Sequence, residues 1–264
     1  MRALGALHLH STYSYDAKVP LKDLKQLFRA HGLSFACMTE HTDEMTPARA
    51  TAFIAECRAL SDETFVFVPG FEISYRDTHI LAPGCTTFVS QHATEAELNT
   101  WREHAPLMIL AHPHRNGYHD RAPEGMLDGI EIWNAQYDGK VVPRNGARAL
   151  FARMHSVHSK LTAFAGWDFH REAHAGGPVI AADVDALSET AIITALRSGT
   201  YTLRSQVVEV SPNGVLTGAD SRWVALLSTG YVQVIRAGKV VNRVLAWFGL
   251  KLPKKLVVQI RGRL

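Results

Sequence analysis

Short apolar runs alternate with amphipathic stretches along most of this chain. Ala6–Leu9, Ser34–Thr39, Phe65–Val68, Phe71–Ser74 and His79–Ala82 have the length and composition of strands. Between the first two, Pro20–His31 puts Leu21, Leu24, Leu27 and Phe28 on one helical face, and Gly32 ends the helix. Thr46-Pro47 opens a second helix that runs to about Leu60, because proline suits a first helical position. Thr94–His104 has helical spacing. Strands at Leu107–Ala111, Gly129–Trp133 and Leu161–Ala165 then accompany helices at Arg144–Lys160 and Ser188–Ser198. Six or seven β/α units predict an α/β fold, a parallel barrel in which each helix buries its apolar strip against a strand. Functional groups in such a barrel gather where strands end.

Those ends carry metal-ligating side chains. His8, His10 and Asp16 follow the first strand, and "TEHTD" after the second offers Glu40, His41 and Asp43. "PGFE" offers Glu72, "AHPHR" offers His112, His114 and Arg115, "EIWNAQYDGK" offers Glu131, Asn134 and Asp138, and "AGWDFH" offers Asp168 and His170. Taken singly, each fragment also reads as ordinary scaffold: a His-x-His pair as hydrogen-bonded strand end, an Asp in a turn as a helix cap. Their recurrence at successive strand ends gives them a common chemistry. Mixed imidazole and carboxylate donors suit zinc, iron and manganese, and no thiolate cluster accompanies them.

In this order the fragments resemble the PHP (polymerase and histidinol phosphatase) phosphoesterases. Their pattern is HxH with a following Asp or His, a strand-end DH, GxE, AHP and GxDxH. The resemblance extends from Leu7 to Arg204, with Glu40 standing where the family usually has Asp; that residue is expected to orient a ligand rather than act as one. It implies a distorted TIM-like (β/α)7 barrel over residues 1–215, holding two or three divalent ions, manganese, iron or zinc. By motif, His8, His10, Glu72 and Asp168 would hold the first ion, and Glu72 would bridge to a second with His112. Asp138, or else Glu131, would complete the second, and Asp16, His41 and His170 would hold a third. The implied activity is hydrolysis of a small phosphate ester, most simply a nucleotide or sugar phosphomonoester, by a metal-bridging hydroxide. Arg115 is the candidate phosphate clamp, with Lys140 and Arg144 as further cations, and His79 in "HILAPG" is a candidate phosphate donor or general acid. His31, His92, His104, His155, His158 and His174 are expected at the surface. Two other readings remain: an amidohydrolase-type hydrolase, against which no bridging lysine is evident, and a non-catalytic binding module.

Charge changes the picture at one end. The net charge is +3, yet residues 231–264 hold eight Lys or Arg and no Asp or Glu, leaving −5 for residues 1–230. Residues 216–264 therefore read as a basic helical extension, with a helix over Trp223–Phe248 whose Val234, Val241, Val244, Leu245 and Phe248 oppose Arg236, Lys239 and Arg243. It would pack on the barrel or a partner, or meet nucleic acid or an anionic membrane. Trp223–Ile235 is shorter than the roughly 20 residues a spanning helix needs. The N-terminus lacks the pattern of a signal peptide, and three dispersed cysteines without CxxC spacing fit a cytoplasmic protein.

Overall fold

In a computed structural model that describes residues 1–89, 94–113, 125–218 and 221–247, β1 (Arg2–Leu9) lies parallel to β2 (Phe35–Met38). Leu7 pairs with Cys37 and Leu9 with Met38, so His8 is an extra residue in the ladder, with φ 64°. Such a bulge shifts the alternation of side chains by one. Leu7 accordingly joins the core around Cys37, and Leu9 joins the core around Met38.

The chain continues through β3 (Glu40–His41), β4 (Val66–Val68), β5 (Gly70–Tyr75), β6 (Thr78–Pro83), β7 (Ile109–Leu110), β8 (Gly129–Asn134) and β9 (Thr162–Gly166). Four strands follow that the apolar rhythm did not predict: β10 (Val179–Asp183), β11 (Tyr201–Arg204), β12 (Glu209–Val210) and β13 (Leu216–Thr217). Two mixed sheets result, ordered β13-β12-β11-β10-β1-β2-β4 and β3-β5-β6-β7-β8-β9. This corrects the expectation of a ring of parallel strands: β1–β10, β5–β6 and β6–β7 are antiparallel. The cause is local at β5–β6, where Arg76 (φ 51°) and Asp77 alone connect the strands, and a parallel crossover needs a dozen residues or more. The sheets meet where Trp167 N–H donates to Leu7 O (2.9 Å), Phe169 N–H to His8 O (3.1 Å) and His10 N–H to Phe169 O (3.0 Å). That seam sets the end of β1 beside the residues that follow β9.

The helices sit close to their sequence positions: α1 (Leu21–Ala30), α2 (Pro47–Leu60), α3 (Glu95–His104), the short α4 (Ala135–Asp138), α5 (Asn145–Val157) and α6 (Glu189–Ser198). Thr46 caps α2, Thr94 and Glu97 form a reciprocal capping box on α3, and Ser188 caps α6. The last helix, α7 (Ser221–Trp247), packs its first turns on the fold through buried Val224 and Ser228. Ser228 Oγ accepts from Asn145 N–H at 3.1 Å, and Asn145 Nδ2 donates to Ala225 O at 3.3 Å. Among the described residues no helix is long and apolar enough to cross a membrane. The side chains of Arg236, Lys239, Arg243, Val244 and Leu245, and residues Phe248–Leu264, lie outside the described residues.

Candidate metal centre

Backbone shape delivers the first ligand candidates. His8, His112 and Asp168 have φ values of 64°, 25° and 50°, a region that non-glycine residues seldom occupy and that clusters at functional sites. Gly166 is required beside them. A Cβ there would lie 2.0 Å from Glu131 Oε1 and 2.6 Å from His8 Cβ.

Buried partners fix how the imidazoles face. His8 Nδ1 lies 2.9 Å from Glu131 Oε1, which accepts its proton and leaves Nε2 toward Glu72 Oε2 (3.0 Å) and Asp168 Oδ1 (3.6 Å). His10 Nδ1 lies 3.2 Å from Ser14 Oγ, whose own proton goes to Glu40 (2.5 Å), so the serine accepts from His10. Glu40 also accepts from Ser11 N–H and Ser11 Oγ, and burial pushes its carboxyl up to about 7. His170 Nδ1 faces Asp168 O at 3.1 Å. In each case the far nitrogen is left to bind a cation, the arrangement by which outer partners orient metal-ligating histidines.

The freed atoms converge. Donor atoms within 4.8 Å of one another come from His8, His10 and Glu72; from His8, His112 and Asp168; from Glu72, His79 and His112; and from His10, His41 and His170. Asp16 joins the last set, 3.2 Å from His170 Nε2 and 3.7 Å from His41 Nε2. Ligands of one ion at about 2.1 Å stand roughly 3.0–3.4 Å apart, and several of these separations are of that size. His10 Nε2 and His41 Nδ1 are buried without a hydrogen bond, which an ion would remedy. The donor set therefore fits divalent ions.

The electrostatics agree. Burial lowers a histidine, yet Glu131, Glu72 and Asp168 outweigh it and raise His8 well above its ordinary range. Burial, aided by His41, takes His10 down to about 3. Glu72 stays well below the usual carboxylate range despite its burial, because His8 and His41 face it. The negative charge gathered around His8 is charge that a bound cation would balance.

Other sequence candidates lie elsewhere. Glu131 stands behind His8, its second oxygen accepting from His112 N–H (2.7 Å) and Asn134 Nδ2 (2.9 Å). Asp138 is outside the four donor groups, accepting from Asn134 N–H (2.8 Å) with Arg144 at 3.9 Å; burial pushes it up to about 8. Asp43 faces Ser74, and Lys140 donates to Ala175 O. Arg115 and His114 are outside the described residues. His79, expected at the phosphate, lies 2.5 Å from Glu72 Oε1 by its Nδ1. His174, expected at the surface, is half-buried, and its Nδ1 lies 3.3 Å from His170 N.

An open cleft of about 850 Å³ leads to the cluster. Arg144 and Tyr137 line it, together with Tyr15, Lys18, Arg171 and Tyr231, which the motifs did not point to. Tyr231 comes from α7, and no local pattern links it to the strand ends.

The model of the PHP domain matches residues 6–167. Similar folds occur in a two-domain protein containing a predicted PHP-like metal-dependent phosphoesterase from Bacteroides vulgatus ATCC 8482 (TM-score 0.61, 16% identity, 80% of this chain and 67% of that one). PsfC from Pseudomonas syringae PB-5123 aligns over 89% of this chain and 99% of its own, with TM-score 0.55 and 16% identity. The lesion-specific endonuclease PfuEndoQ from Pyrococcus furiosus aligns at TM-score 0.53 and 15% identity, over 80% of this chain and 59% of its own. No curated protein sequence matches the chain.

Proposed function

This chain belongs to the PHP domain family, and on that premise we propose that it is a metal-dependent phosphoesterase acting on a small phosphate ester, a nucleotide or sugar phosphomonoester. The observation that carries the reading is the shared orientation of His8, His10 and His170, each giving one ring nitrogen to a fixed acceptor and the other to a carboxylate-rich centre.

His8, His10, Glu72 and Asp168 would hold one ion, and Asp16, His41 and His170 another. Glu72, His79 and His112 would hold a further one, His79 taking the position first sought in Asp138 or Glu131. When bound, such ions supply an acidified water and positive charge against the phosphate and the departing oxygen. Glu131 and the Glu40–Ser14 pair hold His8 and His10 in the tautomers that leave Nε2 basic. Lys18, Arg144 and Arg171 line the cleft as cations that would meet phosphate oxygens, and Tyr15, Tyr137 and Tyr231 line it beside them. Glu72 would supply the carboxylate shared between ions where an amidohydrolase-type site would use lysine. Three buried free cysteines support a reducing, cytoplasmic setting.

Protein loaded with manganese, iron or zinc should release phosphate from members of a panel of nucleotide and sugar phosphomonoesters, with diesters run alongside. Glu72→Gln should lower turnover more than about a hundredfold and reduce metal content in elemental analysis. Failure of every loaded form to hydrolyse any ester would refute the reading.

A further inference from the structure

The two sides of α7 are unlike. One side faces the fold through Val224, Ser228 and Tyr231. The other leaves Trp223 (63% exposed), Leu226 (60%), Leu227 (45%), Val234 (44%) and Val241 (47%) in solvent, at helical steps of three, four and seven residues that keep them on one stripe. These positions span about 27 Å along the helix, and large apolar side chains repeated along one exposed face mark a surface that something covers.

Charge decides what covers it. From Ser221 to Leu264 the chain has nine Lys or Arg and no Asp or Glu. A second copy laid along the stripe would bring the same cations with no carboxylate to meet them. Nucleic acid would satisfy the cations and leave Trp223, Leu226 and Leu227 in water. An anionic bilayer surface satisfies both, its acyl boundary taking the apolar stripe and its headgroups taking the Lys and Arg. Among the described residues the helix lacks an apolar stretch long enough to cross, so it would lie in the interface plane.

We propose that α7 seats this protein on an anionic lipid surface. The inference is independent of the reaction assigned to the cleft, although Tyr231 places one residue of the same helix in the cleft wall.

The test is flotation of the full chain with vesicles of phosphatidylcholine plus phosphatidylglycerol and with vesicles of phosphatidylcholine alone. Binding to the anionic vesicles, weakened by salt, with tryptophan emission quenched by brominated acyl chains and the quenching lost in Trp223→Ser, is the expected result. Leu226→Ser/Leu227→Ser/Val241→Ser and, separately, Arg236→Gln/Lys239→Gln/Arg243→Gln should each lower partitioning at least roughly tenfold. Unchanged melting temperatures would establish that both variants fold. A chain that stays with the lipid-free fraction overturns the proposal. So does a parent dimer in sedimentation that the serine variant converts to monomer without loss of vesicle binding, or binding to duplex DNA with none to vesicles.

Discussion

At the residue scale, the centre depends as much on what stands behind the donors as on the donors themselves. Glu131 has both oxygens committed, to His8 on one side and to His112 N–H and Asn134 on the other. Glu131→Gln should therefore leave the fold intact and lower metal affinity about 10–100-fold, read by titration of the metal-free protein. Affinity equal to the parent's would remove Glu131 from this role. The candidate donors were legible in sequence because His8, His10, Glu72, Asp168 and His170 recur at strand ends with fixed spacing. Glu131 was not legible as a support, since a carboxylate that binds an ion and one that holds a histidine look alike until their atoms are located. Gly166 belongs to the same lesson: the glycine of GxDxH is needed because Glu131 and His8 fill the space a side chain would take.

At the scale of elements, most helices and the first strands followed from periodicity and caps, while strand direction did not. Apolar runs have the same appearance in parallel and antiparallel sheets. The tight link through Arg76 and Asp77 was the available signal for the β5–β6 hairpin, and its register sets His79 opposite Ser74, two residues beyond Glu72. Without that register, His79 could not be joined to Glu72 and His112.

The short α4 carries a separate consequence. Asp138 is pushed up to about 8 by burial, whereas an unfolded aspartate titrates near ~3.9. Folding thus takes up a proton at intermediate pH. The stability this gives is fully present below about pH 4 and is lost as pH rises through about 8, by at most ~1.4 kcal/mol per pH unit. Urea unfolding of Asp138→Asn should depend less on pH between about 5 and 8 than the parent does. Parallel pH profiles would show that Asp138 does not titrate in this way.

For the whole molecule, the seam between the two sheets gathers carboxylates and imidazoles at the floor of an open cleft, so cations bound there would be linked to folding. Ions present at about a hundred times their dissociation constant add ~2.7 kcal/mol to stability. For a chain of this length, chelation should then lower the melting temperature by about 5–10 °C, and re-addition of manganese, iron or zinc should restore it. A melting curve indifferent to chelator would mean that these groups carry no ion. The overall class and the location of the centre were readable from the chain, because both follow from strand ends brought together. The cleft wall was not, because Tyr231 arrives from a helix more than fifty residues beyond the last motif.

Glu72 faces His8, His10, His41, His79 and His112 at once. Sites that share one carboxylate cannot fill as strangers: the first cation to arrive sets the negative charge left for the next. Each ion bound there would weaken the hold on the next, so partly filled molecules would persist between the empty and the complete.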